Sequence, residues 1–385
     1  MDWRAHGDSG HVRRFPRQPA AGELQPGAMM KIKTDCRHFR GDMPCLHHKR
    51  QGVHCRDCGL YDPVRERILI IKLGAIGDVI RTTPLLRVLA EKHPRASVSW
   101  LTDSPEILPA GRVDRILPVG LESIEWIKAG RFDWLINLDK DPLAISLANS
   151  VPAGRKSGFL ADERGLCRPD GGQAAQQKWL TGLWDDVNRS NRMHYVEEIF
   201  RICGFQFNGE EYILEDRAEG PFPWVIDASS KRVGLNTGCG GRWTSRLWPE
   251  EHWIELAGRL VRAGYQTVLL GGRQEHERNE RISKASGSEY WGHFDLPVFI
   301  HEVNQMDAVV TAVTMAMHLA IGLRKKLVLF NNIFNPNEFF LYGRGVILKP
   351  EAGCDCYYSP VCEKNCMRTL KPETVFRAVE GLLSS

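Results

Sequence analysis

Short apolar runs alternate with amphipathic stretches along most of the chain. Residues 68–73 (ILIIKL) form a continuous apolar run, which is typical of a parallel strand buried on both faces. A glycine turn at 74–77 leads from this run into a helical stretch that Pro94 ends and that Pro84 kinks or delays. Further strands are predicted at SVSWLTD, RILPVG and DWLINLD, and strands that alternate with helices imply a parallel sheet.

The same order of elements restarts at Arg232. The predicted strand RVGLNTG is followed by a glycine-rich loop that reaches Arg246 and then by the helix PEEHWIELAGRLVRAG, with Gly264 as its carboxy-terminal cap. The strands QTVLLGG, DAVVTAV and KLVLFNN follow. Residues 140–225 have no clear period, and the turn-rich PFPW at 221–224 marks the predicted junction. Two α/β units in tandem predict a ligand cleft between the carboxyl ends of two sheets.

The length and composition fit a globular protein of two main domains. The chain has 385 residues, 43% of them apolar and 25% charged. With no apolar run of about 18 residues and no secretory signal, we expect a soluble protein of the reducing cytoplasm. The predicted domains are a disordered extension at 1–30 that could precede a start at Met29 or Met30, a cysteine-rich segment at 31–66, a first Rossmann-like domain at 67–225 and a second at 226–385.

The basic charge is concentrated at the amino-terminal end. Residues 1–67 carry 13 Lys and Arg and 8 Asp and Glu, which gives a net charge of +5. The whole chain has a net charge of +4, so the remaining residues together are close to neutral, at about −1. Such a segment is either a solvated tail or a binding segment for an anionic partner such as a phosphorylated glycolipid or a membrane surface.

Eight of the 11 cysteines fall into two groups. The first group contains a C-x2-C pair, and in a reducing compartment clustered cysteines bind a metal more often than they form disulfides. We therefore predict a structural zinc site in the first group and a second, weaker metal site in the other, with an iron–sulfur cluster or free thiols as alternatives. The first group is Cys36, Cys45, Cys55 and Cys58, and the second is Cys354, Cys356, Cys362 and Cys366.

Three positions are candidates for chemistry at the predicted cleft. Asp78 follows a buried strand at a glycine turn, where a carboxylate acts either as a general base or as a helix cap. The loop NTGCGGRWTSR presents backbone N–H groups and Arg246, which suits a diphosphate, although an ordinary loop is the alternative. His318 either faces the cleft or is a core residue among apolar neighbours.

Four runs in this order resemble glycosyltransferase family 9, the lipopolysaccharide heptosyltransferases. They are ILIIKLGAIGDVIRTTPLL, GRWTSRLWPEEHW, LLGGRQEHE and TMAMHLAIG, within residues 67–350. The resemblance implies a GT-B fold, which has two Rossmann-like domains facing each other across a cleft. It also implies an inverting transfer from an ADP-sugar, ADP-heptose in the lipopolysaccharide enzymes, without a catalytic metal.

The resemblance assigns roles to individual residues. Asp78 matches the family's general base, and Arg246 stands where a basic residue neutralises the leaving diphosphate. Thr237, Gly238, Glu275, Thr314 and His318 match donor-binding positions, and Lys72, Arg81 and Asp139 are placed on the acceptor side. The expected partners are a nucleotide sugar and a glycan or glycolipid acceptor, with peripheral contact at the inner membrane and no nucleic acid.

The chain departs from the family pattern around both expected ligands. Val313 stands where the family has an aspartate, Met315 and Ala316 replace a Gly-Pro pair, and FNNIFNPNEF replaces a Gly-Pro-Thr turn. Asp139 and Asp141 stand in place of a glutamine and a glycine. These departures leave the donor and the acceptor open.

Two other classes of protein remain as alternatives. A nucleic-acid-binding module would use only the basic cysteine-rich segment, which lacks interleaved aromatic side chains. A nucleotide-sugar epimerase would share the fold, and fold alone does not exclude it.

Overall fold

The computed structural model describes residues 32–351 and 354–384, and it divides the chain into two compact units at 1–63 and 64–385. The extension expected at 1–30 lies outside the described residues. Between Ile32 and Pro63 the first unit contains the helix α1 (Leu46–Gln51), a short 3₁₀ turn (Cys55–Asp57) and one β-bridge between Cys36 and Pro63. The sulfur of Cys45 accepts the N–H of His48 at the start of α1.

The second unit begins with a six-stranded sheet. Its strands are β1 (Glu66–Ile71), β2 (Ala96–Thr102), β3 (Arg115–Pro118), β4 (Phe132–Asn137), β5 (Ala153–Ala161) and β6 (Cys167–Pro169). The strand order is β3-β2-β1-β4-β5-β6, with all neighbours parallel except β5 and β6. The helices of this half are α2 (Ile76–Ile80), α3 (Leu85–Lys92), α4 (Leu121–Ala129), α5 (Pro142–Ser150), α6 (Gln173–Leu180), α7 (Asp185–Ser190) and α8 (Tyr195–Ile202).

A second six-stranded sheet follows, and it is parallel throughout. Its strands are β7 (Arg232–Asn236), β8 (Gln266–Leu270), β9 (Glu289–Tyr290), β10 (Ala308–Ala312), β11 (Lys326–Phe330) and β12 (Gly345–Leu348). The order β12-β11-β10-β7-β8-β9 is that of the first sheet read from the other edge. The helices are α9 (Glu250–Arg262), α10 (His276–Ser286), α11 (Leu296–Gln305), α12 (Met315–Gly322) and α13 (Pro372–Ser384).

Both sheets have the strand order of a dinucleotide-binding Rossmann fold. In such a sheet the order reverses beside the first strand, and ligands bind there, beyond the carboxyl ends of the strands. In this chain those positions are the loops after β1 and β7. The predicted GT-B architecture of two Rossmann-like halves is confirmed.

The central strands form because their side chains are apolar on both faces. The consecutive residues Ile68 and Leu69 of β1 point to opposite faces of the sheet and are both fully buried, as are Val309 and Val310 of β10, in the pattern of parallel strands covered by helices on either side. The predicted junction at 221–224 falls between α8 and β7.

One predicted element differs in the structure. The helical stretch after the glycine turn is two helices, α2 and α3, separated by residues 81–84. The N–H groups of Thr82 and Thr83 bond to carbonyls three residues earlier, which tightens this turn. Pro84 has no N–H to donate and stands at the start of α3, so the proline delays the second helix.

The two halves of this unit pack directly against each other through α2 and α12. A Cβ atom on Gly77 would lie 2.3 Å from Cδ2 of His318, so only glycine permits this approach. Gly322 faces Ile80 and Leu214 in the same contact. The loops that follow β1 and β10 therefore meet at one cleft.

Candidate active site

A cavity of ≈ 800 Å³ opens between the loops of the two halves. From the first half it is lined by Gly74, Ala75, Ile76, Gly77, Asp78, Asp103 and Ser104. From the second it is lined by Asn236, Gly238, Cys239, Gly240, Arg246, Gly272, Gln274, Glu275, Phe294, Leu296, Phe299, Val313, Thr314, Met315, Ala316 and His318. This volume suits a ligand of nucleotide-sugar size.

Asp78 presents its carboxylate to the cavity from the first turn of α2. Oδ1 accepts a charge-assisted bond from Arg81 at 2.8 Å, and Oδ2 lies 3.8 Å from Nζ of Lys72. No backbone N–H in the described part of the chain donates to this carboxylate, so the helix-cap alternative has no support. Burial raises the pKa of Asp78, but the positive charges of Arg81 and Lys72 outweigh burial and hold it below its usual value.

Lys72 is held beneath Asp78 by the loop after β4. Its side chain is 5% exposed, and Nζ donates to the carbonyl of Gly74 at 2.6 Å and to Oδ2 of Asp139 at 3.1 Å. Asp139 also accepts the N–H groups of Leu73 and Gly74, so it fixes the backbone of the glycine turn. Burial lowers the pKa of Lys72, but nearby Tyr195, Asp78 and Asp139 together raise it above its usual value.

Arg81 connects the two halves of the cleft. Its second guanidinium nitrogen donates to Glu338, in the loop after β11, at 3.0 Å, and its guanidinium carbon lies 3.5 Å from the ring centre of Tyr195. Because Glu338 shares Arg81 with Asp78, the position of this cation depends on both halves.

Arg246 lies on the opposite wall and has a different environment. It ends a 3₁₀ turn (Thr244–Arg246), is 8% exposed, and donates to the carbonyl oxygen of Cys239 at 2.8 Å. In the described residues no carboxylate pairs with it. Burial lowers its pKa, as expected for a cation without an anionic partner, although an arginine remains charged at any ordinary pH.

The loop after β7 is shaped by close contact with the loop after β8. A Cβ on Gly238 would lie 2.1 Å from Oε1 of Glu275, and Glu275 accepts the N–H of Gly272 at 3.0 Å. Thr237 donates its hydroxyl to Oδ1 of Asn279 at 2.5 Å and therefore points away from the cavity. The glycine leaves room for Glu275 at the cavity wall.

Thr314 and His318 reach the cavity from the start of α12. The hydroxyl of Thr314 lies 3.0 Å from that of Thr311 and accepts from the amide of Asn236 at 3.4 Å. Burial, reinforced by the charge of Arg81, lowers the pKa of His318 to about 3. His318 is thus neutral, and its Nδ1 has no hydrogen-bond partner within the described residues.

The structure brings together most of the predicted site residues. Those that line the common cavity are Asp78, Gly238, Arg246, Glu275, Thr314 and His318, whereas Thr237, Lys72, Arg81 and Asp139 do not line it. Lys72 and Arg81 instead contact Asp78, and Asp139 supports Lys72.

Several residues that shape the site escaped the sequence reasoning. Asn236 is the last residue of β7, and its amide donates to the carbonyl of Gly238 and to Thr311. An asparagine that ends a buried apolar strand was a usable signal. No local sequence pattern indicates the role of Glu338, because its partner Arg81 is 257 residues away along the chain.

The structure reverses the expected ranking of the two cysteine groups. Cys36, Cys45, Cys55 and Cys58 all border one cavity of the first unit, but their sulfurs are not gathered around a common point in the described residues. The described residues therefore give no support to the zinc site predicted for this group.

The carboxy-terminal group is the compact one. The sulfurs of Cys354, Cys356, Cys362 and Cys366 all lie within 4.8 Å of one another, and Cys362 and Cys366 are buried. The Cys354 and Cys362 sulfurs are 3.4 Å apart, and those of Cys356 and Cys366 are 3.9 Å apart. Cys354 and Cys356 are joined as a disulfide. Among the described residues this is the only group of three or more His, Cys, Asp or Glu that could hold a metal ion.

The fold and the site together define a glycosyltransferase of the GT-B class. The sequence profile of glycosyltransferase family 9 (heptosyltransferase) matches residues 218–343. Lipopolysaccharide heptosyltransferase 2 of Salmonella typhimurium is 32% identical over 290 residues, covering 68% of this chain and 81% of that protein. This chain therefore belongs to glycosyltransferase family 9.

Solved structures agree on the fold. A family 9 glycosyl transferase from Veillonella parvula superposes with a TM-score of 0.63 at 20% identity, covering 84% of this chain and 98% of that one. The Escherichia coli heptosyltransferase WaaC with ADP gives 0.58 at 18% identity, covering 83% and 98%. At these identities the superpositions concern the fold alone.

Proposed function

We propose that this glycosyltransferase moves a heptose from ADP-heptose to a lipopolysaccharide core or a related cell-surface glycan, with inversion at the anomeric carbon. One observation carries the proposal: the carboxylate of Asp78 and the guanidinium of Arg246 line a single cavity from opposite halves. The names of the relatives, which are lipopolysaccharide heptosyltransferases, support this choice of sugar and acceptor.

In this mechanism the acceptor hydroxyl gives its proton to the carboxylate of Asp78. The hydroxyl oxygen attacks the anomeric carbon of the donor from the face opposite the diphosphate. As the new C–O bond forms, the bond to the diphosphate breaks and its electron pair leaves on the diphosphate oxygen. A single displacement of this kind inverts the anomeric centre.

The wall of the cavity formed by the second half suits the negative charge that develops on the leaving diphosphate. Arg246 is a buried cation that no carboxylate of the described chain neutralises, and the start of α12 directs backbone N–H groups toward the same cavity. Preorganised cations and N–H groups stabilise a developing negative charge strongly in a site that excludes water. We assign this task to Arg246 and the loop around Gly238, so the proposed mechanism uses no catalytic metal.

We propose that residues 67–225 bind the acceptor and residues 226–385 bind the nucleotide sugar. Lys72, Arg81 and Asp139 then serve the acceptor half by holding and orienting Asp78. Glu275, Thr314 and His318 line the cavity on the side proposed for the donor.

We also propose that the protein acts in the cytoplasm at the inner membrane surface, where a glycolipid acceptor would be presented. No helix in the described ranges is both long and apolar enough to cross a bilayer. The net charge of +5 in residues 1–67 would favour an anionic membrane surface.

We assign a structural zinc ion to the carboxy-terminal cysteines. Four thiolates at the corners of a tetrahedron around zinc are about 3.8 Å apart, from a Zn–S distance of about 2.3 Å. The separations of 3.4 and 3.9 Å fit this geometry once the disulfide between Cys354 and Cys356 is reduced. The test is metal analysis of protein purified under reducing conditions, with iron measured beside zinc. About one zinc per chain is expected, and a metal-free, fully active protein would refute the assignment.

A panel of nucleotide sugars scored by product mass tests the activity. ADP-heptose with a lipopolysaccharide core acceptor should give a product heavier by one heptosyl unit. In parallel, ADP should raise the melting temperature more than UDP, GDP or dTDP, because a ligand that binds only the folded state stabilises it by mass action. Selectivity for another nucleotide would indicate a transferase that uses a different donor. Conversion of the donor without transfer would indicate an epimerase.

A further inference from the structure

The loop that carries the four clustered cysteines is bonded directly to the turn that carries Arg246. The N–H of Ser245 donates to the carbonyl oxygen of Pro360 at 2.9 Å, and the hydroxyl of Ser245 donates to the carbonyl oxygen of Ser359 at 2.7 Å. Thr244 donates its hydroxyl to Pro360 as well, at 3.3 Å. Ser359 and Pro360 lie between Cys356 and Cys362, within the cluster's own loop.

Asn332 connects the sulfur cluster to the same turn with a single side chain. Its amide nitrogen lies 2.8 Å from the carbonyl oxygen of Ser245, 3.2 Å from the sulfur of Cys366 and 3.9 Å from that of Cys356. An amide has two N–H donors, so Asn332 can serve the backbone of the turn and a thiolate at once. A thiolate accepts a hydrogen bond better than a neutral thiol does, because the bond is charge-assisted.

The turn at 244–246 is otherwise held by N–H bonds to the carbonyls of Trp243 and Thr244, and by the Arg246 guanidinium, whose carbon lies 5.7 Å from the ring centre of Phe334. It is a three-residue 3₁₀ segment, and the guanidinium of Arg246 donates only to the carbonyls of Cys239 and Trp243 in the described chain. Through the bonds to Thr244 and Ser245, the position of Arg246 therefore depends in part on the loop at 354–366, which has little regular structure of its own. A metal bound to four cysteines would order that loop.

We infer that metal binding to the carboxy-terminal cysteines positions Arg246 for the donor diphosphate, and that Asn332 is the positioning residue that links the two sites. This inference rests on the proposed function, because it needs a diphosphate in the cavity. It also makes the donor site sensitive to redox state. Reduction of the Cys354–Cys356 disulfide by a thiol reductant takes up two electrons and two protons, and the four thiols release their protons as the metal binds.

Coupled sites obey reciprocity. If the metal strengthens ADP binding by some factor, ADP strengthens metal binding by the same factor. Couplings of this kind are commonly about 5-fold to 150-fold. A purely structural role of the metal, confined to stability, would leave both affinities independent of each other.

The experiment uses the full reduced chain with Zn²⁺ and ADP as the probes. ADP affinity is measured by calorimetry on the zinc-loaded protein and again after a chelator has removed the zinc. Zinc affinity is measured with a competing chromophoric chelator, with and without saturating ADP. Asn332→Ala is the test variant, and exposed Asn149→Ala is the matched control.

The expected result has three parts. Removing zinc weakens ADP binding about 5-fold or more, and ADP strengthens zinc binding by the same factor. Asn332→Ala keeps one zinc per chain, because all four thiolates remain, but loses most of this coupling. Asn149→Ala behaves as the unchanged chain does.

Contrary results separate the inference from the proposed function. ADP binding that is the same with and without zinc, or full coupling in Asn332→Ala, overturns the inference alone. No ADP binding by the unchanged zinc-loaded chain overturns the proposed function and the inference with it. If zinc removal unfolds the protein, the ADP affinity of the zinc-loaded Asn332→Ala variant decides: it should be about 5-fold weaker or more than that of the zinc-loaded unchanged chain, and equal affinity overturns the inference.

Discussion

The two walls of the cavity differ in whether the protein supplies counter-ions to their charged groups. On the first wall, Asp78 is paired with Arg81 and has Lys72 beneath it, and those cations in turn contact Glu338 and Asp139. On the second wall, Arg246 is buried, yet it bonds only to backbone carbonyls in the described chain.

This difference separates the tasks of the two halves. A carboxylate surrounded by cations stays ionised and ready to accept a proton, without any ligand present. A buried cation without a counter-ion in the chain is stabilised by pairing with an anion from outside it, and a diphosphate is such an anion. Changes on the first wall should therefore affect turnover, and changes on the second should also affect nucleotide binding.

The largest expected effect comes from Asp78→Asn. The amide is nearly isosteric but takes up no proton, so the transfer rate should fall by about 100-fold to 10,000-fold. Initial rates from product mass would measure this. Exposed Asp186→Asn is the matched control, and a fully active Asp78→Asn enzyme would show that another group accepts the proton.

Arg246→Ala should have the next largest effect. Losing one preorganised group for the leaving charge lowers the rate by about 100-fold to 1,000-fold. Arg246→Lys should recover part of this loss, since the charge returns without the planar fork of donors. The neighbouring Arg242→Ala, at an exposed position, is the control; equal rates for Arg242→Ala and Arg246→Ala would remove Arg246 from the mechanism.

A smaller effect concerns the contact between the walls. In Gly77→Ala the added methyl group meets the ring of His318, and overpacking of this kind costs about 1–3 kcal/mol in the free energy of unfolding. Gly381→Ala is the matched control, because its Cβ meets nothing within 4 Å and the change should stabilise α13 by about 0.5–1 kcal/mol. Denaturant unfolding measures both, and a neutral Gly77→Ala would mean that α2 and α12 do not pack as described.

The smallest effect should appear in the pH dependence of the transfer rate. Because the folded-state pKa of Asp78 lies below 3.8, its carboxylate stays ionised down to that region, and activity and the associated stability are lost only as the pH falls through the folded pKa. Arg81→Gln removes the largest lowering charge, so the acidic limb should move to higher pH. Arg81→Lys should leave the limb nearly in place, and an unmoved limb in Arg81→Gln would mean that the pair does not control Asp78.

The sequence alone allowed prediction of those features of the fold and the site that local residue patterns encode. Buried apolar runs located the central strands of both sheets, and the positions after β1 and β7 pointed to Asp78 and Arg246. The stretch at 140–225 was not interpretable, because it holds short helices and the three-residue antiparallel strand β6.

Contacts across the cleft were beyond prediction for a physical reason. The Arg81–Glu338 pair depends on the docking of two halves, and no local pattern specifies it. The cysteines show the same limit. Spacing favoured the C-x2-C pair of the first unit, whereas the chain path between Cys354 and Cys366 decides which sulfurs meet.

The most direct test of the two-wall account is the calorimetric affinity for ADP of Asp78→Asn and Arg246→Ala, measured side by side with the unchanged chain. The account predicts that Asp78→Asn binds ADP as the unchanged chain does, while Arg246→Ala binds it at least about 10-fold more weakly, a loss of about 1.4 kcal/mol. Equal ADP affinity in all three proteins, or equal losses in both variants, would contradict the account.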